Sequence, residues 1–244
     1  MEFPEWIDKA IDMYNDELPY YKIARKLGVD RHNVAYYLKK KGCYPKGKNS
    51  HFIRNNVSRK YKLDESVFKK TETEEAAYWL GFLYADGCVN KVSNCIEITL
   101  QDKDIESLEK FNKFLCSSKQ IEKKNKGNYE LSRVSVYSLK MKNDLIELGC
   151  IPEKSKKLTF PNYNQVPRRL MCHFIRGYFD GDGHVSRHVQ SNGKISYGAE
   201  ILGTKEFLEG LCSEINIQTK LHSFKHSPTT YRICLNGKNK DIFL

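Results

Sequence analysis

The sequence lacks several features that would place it in familiar protein classes. No apolar run approaches the length of about 18 residues that a membrane-spanning helix needs. Its N-terminus, MEFPEWIDKA, has neither the basic start nor the apolar stretch of a signal peptide. Its eight cysteines include no C-x-x-C pair, which predicts reduced thiols and no structural zinc. We therefore expect a protein that is not secreted, in a prokaryotic cytoplasm (from a cellular or phage gene) or in an organelle.

Acidic residues are scarce relative to basic ones. The chain has 41 Lys and Arg against 30 Asp and Glu, for a net charge of +11 and a pI near 9.1. This balance favours a nucleic acid or an anionic membrane as the partner. No acid interrupts the nine basic residues of Lys39–Lys62. Residues 43–69 are interpreted as a basic linker, either a solvated tether or, as we favour, a segment along a phosphate backbone that uses Lys46, Lys48 and Arg54.

The segment before the linker has the pattern of a helix-turn-helix. Two short apolar faces at helical spacing are separated by Gly28, which ends a helix, and by Asp30, which can cap the next. An earlier helix near residues 5–14 would complete a three-helix domain over residues 1–42. In this motif the exposed N-terminal residues of the second helix contact bases in the major groove. The candidates are Arg31, His32, Asn33 and Tyr36.

A duplicated apolar segment is the strongest pattern in the rest of the chain. The two copies are AYWLGFLYADGCV, residues 77–89, and HFIRGYFDGDGHV, residues 173–185. In each copy the predicted apolar helix ends in Asp-Gly, at residues 86–87 and 182–183. Small residues recur four apart in each, as Gly81 and Ala85 and as Gly177 and Gly181, so two helices could pack closely through those faces. Thr71 with Glu74 fits a capping box for the first helix, and Pro167 suits the start of the second.

Packing of these two helices would bring Asp86 and Asp182 together at their C-terminal ends. Two carboxylates at helix C-termini are unfavourable, since each end already carries partial negative charge. A divalent cation would offset that charge, and Mg²⁺ is normally held by one or two carboxylates plus substrate phosphates. We therefore predict a Mg²⁺ site, in which Mn²⁺ can substitute, formed by Asp86, Asp182 and the glycines that follow them, Gly87 and Gly183.

Each apolar helix is followed by the same order of elements. Two strands, a helix and two further strands follow Gly87, and a closing helix is expected at 139–148. The order recurs after Gly183, but the sequence ends where the second closing helix should begin. We expect an α+β fold of two pseudo-symmetric αββαββα repeats, residues 70–165 and 166–244, with the second truncated at its C-terminus.

WLGFLYADG (79–87) and IRGYFDGDG (175–183) resemble the two copies of the LAGLIDADG motif. The chain, over about residues 70–244, therefore resembles a single-chain LAGLIDADG homing endonuclease with an added helix-turn-helix. The resemblance implies two sheets that form a saddle over a long DNA site, Mg²⁺-dependent cleavage of both strands, and Asp86 and Asp182 as the catalytic aspartates. It also implies a catalytic lysine between the repeats, for which Lys154 precedes Lys157 as candidate, and a polar strand-end residue, Gln101.

The predicted function is a site-specific homing endonuclease that acts as a monomer on double-stranded DNA and needs no protein partner. Specificity would come from the recognition helix and from the sheets. The sheet candidates are Arg133, Arg187, Gln190 and Lys194. A DNA-binding regulator without cleavage and an RNA maturase on the same fold remain alternatives. The incomplete second repeat favours nicking over efficient double-strand cleavage.

Overall fold

A computed structural model describes residues 3–16, 18–41, 43, 61–127, 129–189, 192–193, 195–224 and 226–235. The chain divides into two compact units, Met1–Lys60 and Tyr61–Leu244. The segment that the sequence assigns to the linker contributes residues 61–69 to the second unit, where Phe68 is only 1% exposed. No helix in the described part of the chain is both long and apolar enough to cross a bilayer.

The first unit contains three helices among its described residues. They are α1 (Ile7–Asn15), α2 (Tyr20–Leu27) and α3 (Arg31–Lys40). Ile23, Val34 and Leu38 are fully buried between them. Gly28 ends α2 with a left-handed φ of 67°, and the Asp30 carboxylate accepts a hydrogen bond from the backbone N–H of His32 at 2.7 Å. The helical hairpin predicted from Gly28 and Asp30 is present.

The second unit consists of two repeats with the same element order. The first contains α4 (Glu74–Ala85), β1 (Gly87–Val89), β2 (Cys95–Gln101), α5 (Ile105–Phe114), β3 (Glu122–Lys126), β4 (Tyr129–Tyr137) and α6 (Leu139–Glu147). The second contains α7 (Met171–Asp182), β5 (Gly183–Val189), β6 (Ile195–Gly203), α8 (Lys205–Glu214), β7 (Leu221–Phe224) and β8 (Ser227–Leu235). The expected position of a second closing helix, after residue 235, lies outside the described residues.

Both sheets are four-stranded and antiparallel, with equivalent strand orders β1-β2-β4-β3 and β5-β6-β8-β7. Alternate residues of the central strands point to opposite faces. Ile96, Ile98 and Ile201 are fully buried on the helix-facing side, in one core that joins the two repeats. The predicted α+β fold of two pseudo-symmetric repeats preceded by a helical unit is confirmed.

The start of α4 differs from the prediction. Thr73, not Thr71, is its N-cap, and the Thr73 hydroxyl accepts a hydrogen bond from the backbone N–H of Ala76 at 3.1 Å. Thr71 is buried, and its hydroxyl oxygen has no hydrogen-bond partner among the described residues. The capping box predicted for Thr71 and Glu74 is therefore wrong. Pro167 precedes a 3-10 turn, Arg168–Leu170, that leads into α7.

Helices α4 and α7 pack through their glycines, as the spacing predicts. A Cβ atom on Gly81 would lie 2.0 Å from the carbonyl oxygen of Phe174, and one on Gly177 would lie 1.9 Å from the carbonyl oxygen of Tyr78. No side chain fits at either position while the backbones remain this close. The crossing fixes where the C-terminal ends of both helices lie.

Candidate functional site

The two motif aspartates lie side by side where α4 and α7 end. Asp86 is the C-cap residue of α4, and Asp182 is the last residue of α7. A carboxylate oxygen of Asp86 lies 3.4 Å from where a Cβ atom on Gly181 would stand. That separation is an ordinary van der Waals distance, whereas the same Cβ atom would lie only 2.4 Å from the Cβ atom of Ala85, so it is Ala85 that requires a glycine in the last turn of the opposite helix.

The surroundings of both carboxyls favour the protonated form. Desolvation raises the pKa of Asp86 to about 6, and the negative charges of Asp182 and Asp104 add to the increase. Asp86 is nevertheless accessible to solvent. Burial also raises the pKa of Asp182. Ionising both carboxyls here therefore has an electrostatic cost that a cation would relieve.

Lys154 is the cation at this site. It follows Glu153, which adopts a left-handed φ of 58°, and it begins a short 3-10 turn. Its ammonium group donates a hydrogen bond to the carbonyl oxygen of Ala85, and its charge lowers the pKa of both Asp86 and Asp182. The Lys154 ammonium group therefore stabilises the ionised form of both carboxyls from one position.

The second lysine candidate lies elsewhere. Lys157 is exposed, and its charge acts on the carboxylate of Glu153. Gln101 ends β2 and is exposed. The acidic group whose charge reaches Asp86 from this end of the strand is Asp104, three residues later. The sequence pattern gave no signal for Asp104, because its proximity depends on where β2 ends against α4.

Tyr178 is a second residue that the sequence analysis missed. It lies one helical turn before Asp182, and its buried ring stacks on Phe207 with centroids 4.0 Å apart. The Tyr178 hydroxyl donates a hydrogen bond to the carbonyl oxygen of Leu202 at 2.9 Å and also lies beside the Asp182 carboxyl. The i, i+4 spacing of Tyr178 and Asp182 was the available signal. The corresponding position in the first repeat holds Phe82, so the site has one such tyrosine, which is hydrogen-bonded to Asp182 and also close enough to feel the charge of Asp86.

The donor set fits a magnesium ion. Gly87 and Gly183 turn the chain tightly over the preceding helix, since a Cβ atom there would lie 2.6 Å from the Leu83 carbonyl oxygen and 2.3 Å from the Phe179 carbonyl oxygen, respectively. Within the described residues, no group of three or more His, Cys, Asp or Glu side chains could enclose a metal. Two carboxylates with open positions are the ligation that Mg²⁺ accepts when phosphate oxygens complete its shell.

The predicted contact residues of the first unit are accessible. Arg31, His32, Asn33 and Tyr36 are all exposed on α3. The ammonium group of Lys40 lies 4.7 Å from the centroid of the Tyr36 ring. The side chains that α3 presents to solvent are therefore a mixture of basic, polar and aromatic groups.

The residues of the two sheets that were predicted to contact DNA differ in their partners and positions. Arg133 is held by two carboxylates, with contacts of 3.3 Å to Glu97 and 2.5 Å to Glu122. Arg187 is exposed, and its register partner is Tyr197. Tyr197 lies on the same face of its strand as the buried Ala199, so Arg187 lies on the helix-facing side of the sheet and not on the opposite face that was predicted to contact DNA. The remaining basic and polar candidates lie outside the described residues: Lys46, Lys48, Arg54, Gln190 and Lys194.

A model of the LAGLIDADG-like domain matches residues 169–244. The second repeat is therefore similar to a LAGLIDADG-like domain. The matched segment contains α7, the whole second sheet and Asp182. The first repeat has the same strand order and ends its first helix in the same Asp-Gly. The resemblance inferred from the paired LAGLIDADG motifs is thereby confirmed.

Two curated relatives carry the name "Probable translation initiation factor IF-2". The protein of Methanocaldococcus jannaschii is 28% identical over 238 residues, which covers 88% of this chain and 18% of the relative. The protein of Thermococcus kodakarensis is 28% identical over 176 residues, which covers 70% of this chain and 14% of the relative. This chain thus spans less than a fifth of the length of either relative.

Solved structures similar to this chain include a meganuclease and a homing endonuclease. Meganuclease I-SmaMI bound to uncleaveable DNA is 12% identical, with 66% of this chain and 78% of that chain covered and a TM-score of 0.46. The I-LtrWI LAGLIDADG homing endonuclease bound to target DNA is 11% identical, with 71% and 80% covered and a TM-score of 0.45.

Proposed function

We propose that this chain is a site-specific endonuclease that hydrolyses phosphodiesters of double-stranded DNA with Mg²⁺. The observation that carries the proposal is the meeting of Asp86 and Asp182, one from each repeat, beside the ammonium group of Lys154. Carboxyls gathered at two helix C-termini are unfavourable unless a cation binds them. The LAGLIDADG-like domain over residues 169–244 supports the same reaction class.

The residues of the site divide the work of the reaction. Asp86 and Asp182 would hold the metal, which would supply a Lewis acid next to the phosphate when bound. Lys154 lies against the C-terminal end of α4, where its ammonium group would steady a phosphate oxygen or the attacking water. The exposed residues of α3 add contacts to the DNA outside the cleaved segment, and the net charge of +11 favours binding to phosphates at low salt.

Mapping of cleaved ends tests this proposal. The full chain is incubated with genomic DNA of its source in Mg²⁺, with Mn²⁺ in parallel, and the broken ends are sequenced. We expect recurrent ends at one locus that disappear in both Asp86→Asn and Asp182→Asn. Asp180→Asn is the matched control, since Asp180 is a motif carboxylate that accepts a hydrogen bond from the Tyr78 hydroxyl at 2.7 Å instead of facing the pair. Asp180→Asn should retain cleavage.

Other outcomes identify the alternatives. Tight, salt-sensitive binding of duplex DNA without broken ends in either metal would indicate a DNA-binding regulator. Preferential binding of structured RNA would indicate a maturase. Cleavage of a plasmid that carries the mapped site yields nicked and linear products, which a gel separates. Accumulation of the nicked form would show that one of the two strands is cut faster.

A further inference from the structure

The two sheets correspond through their register, apart from an irregularity between Ser223 and Phe224 in the outer hairpin of the second sheet. Gly87 lies opposite Ile98, and Gly183 lies opposite Ile201, so the strands that follow the two aspartates correspond. The cross-strand partners of β4 and β8 extend this correspondence to the rest of each sheet. The counterparts that matter below are Glu97 and Glu200, Arg133 and Arg232, and Glu122 and His222.

Each sheet carries the same ion pair on the face that points away from the helices. In the first sheet, Nη1 of Arg133 lies 3.3 Å from Oε2 of Glu97. In the second, Nη1 of Arg232 lies 3.3 Å from Oε2 of Glu200. Residues adjacent to these in sequence are buried against the helices, so the paired side chains lie on the opposite face. The glutamate orients the guanidinium in both repeats.

The two arginines differ in their second partner. Glu122 lies directly opposite Arg133 and binds its other terminal nitrogen at 2.5 Å. The counterpart of Glu122 opposite Arg232 is the exposed His222, and Glu200 is the one carboxylate that contacts Arg232 among the described residues. The Arg232 side chain is accordingly 41% exposed, against 24% for Arg133.

This difference decides which arginine has donors to offer. A guanidinium recognises guanine by two parallel hydrogen bonds to O6 and N7 in the major groove, which requires two free N–H groups on one edge. Both terminal nitrogens of Arg133 are bound to carboxylates. Arg232 contacts Glu200 through Nη1, and its guanidinium carbon lies 5.8 Å from the centroid of the Phe224 ring, so among the described residues its Nε and Nη2 groups contact no carboxylate. Restraint by one partner also lowers the entropy lost on binding.

We propose that Arg232 is a specificity-determining residue that binds a guanine in the half of the DNA site facing the second sheet, whereas Arg133 is a structural residue of the first sheet. This assignment rests on the proposed function, since it needs duplex DNA on the sheets. It predicts an asymmetric site, with a guanine requirement on one side that has no counterpart at the pseudo-symmetric position on the other.

Selection from a randomised duplex DNA library tests the assignment. The full chain carries Asp86→Asn and Asp182→Asn so that bound DNA is not cut. With Arg232 present, we expect one position with a strong guanine preference. Arg232→Ala should reduce discrimination at that position by roughly 5- to 150-fold and leave other positions unchanged. Arg232→Lys keeps the charge without the planar fork and should weaken the preference with little loss of affinity. Arg133→Ala, the matched control, should leave every base preference intact.

Exchange of the second partner tests the cause. His222→Glu supplies the carboxylate found in the first sheet and should suppress the guanine preference although Arg232 remains. His222→Gln, a neutral control, should preserve it. A base profile that ignores Arg232→Lys and His222→Glu, or that changes equally with Arg133→Ala, would overturn the assignment while leaving the endonuclease proposal standing. If the chain without substitutions in its sheets retained no duplex DNA at all, both the guanine assignment and the endonuclease proposal would be refuted.

Discussion

Removal of the charge at Asp86 should stabilise the metal-free protein. Asp86 has its pKa raised from 3.8 to about 6, chiefly by desolvation. A carboxyl whose pKa is higher in the folded state favours folding when protonated, so its contribution is fully present below about pH 4 and is lost as the pH rises through about 6. At neutral pH the wild-type protein therefore keeps a charge that opposes folding, and Asp86→Asn removes it.

The magnitude follows from the size of the shift. A shift of about two units corresponds to at most about 3 kcal/mol. Because Asp86 is accessible to solvent, screening reduces this figure, and we expect Asp86→Asn to raise the free energy of unfolding by about 1–2 kcal/mol at about pH 7.5. At about pH 4, where much of the wild-type carboxyl is protonated, the difference between the two proteins should shrink.

Urea unfolding followed by tryptophan fluorescence measures this effect in the second unit of the chain, which contains Asp86. The chain has two tryptophans, and Trp79 is buried in α4, so a Trp6→Phe background leaves a probe of the second unit alone. Both proteins are unfolded in EDTA at the two pH values. Asp102→Asn is a control of opposite sign, because hydrogen bonds from Ser132 and Lys123 lower the pKa of Asp102, and its loss should destabilise. Equal or lower stability of Asp86→Asn at neutral pH would refute the reasoning.

Three further predictions test other parts of the molecule. Lys154→Gln should raise the pKa of both motif aspartates and abolish cleavage, whereas Lys157→Gln should change neither; carboxyl NMR titration and plasmid cleavage measure the two effects. Gly177→Ala should destabilise the second unit by about 1–3 kcal/mol or more, measured by urea unfolding, because the new methyl group meets backbone. Asp30→Ala should reduce hydrogen-exchange protection at the start of α3, whereas Asp30→Asn, which keeps an acceptor oxygen, should preserve it.

Local signals were sufficient where local chemistry determines the structure. Gly28 and Asp30 fix the turn between α2 and α3 through a left-handed φ and a side-chain cap, and both effects are readable from neighbouring residues. The pairing of Gly81 with Gly177 was also predictable, because the apolar segment and its small residues occur twice. Repetition supplied long-range information that a single segment would not.

Predictions failed where tertiary contacts choose among local options. Thr71 and Thr73 can both cap a helix, and the capping-box pattern favoured Thr71, yet Thr71 is buried and Thr73 makes the cap. Similarly, Arg133 is a basic residue on the expected sheet face, but the register brings Glu122 opposite to it. A sequence gives the alternation of a strand and does not give the residue that lies across from it.

The duplication constrains the backbone more strongly than it constrains the polar groups. Gly81 and Gly177 must both be small, because each lies against a carbonyl group of the other helix. The polar groups around the two aspartates are not duplicated. The charge of Lys154 lowers the pKa of both aspartates, whereas the Tyr178 hydroxyl lies beside Asp182 and its position in the first repeat is taken by Phe82. Equivalent substitutions in the two repeats should therefore have similar effects on folding when they alter the helix crossing, and unequal effects on the two DNA strands when they alter the site.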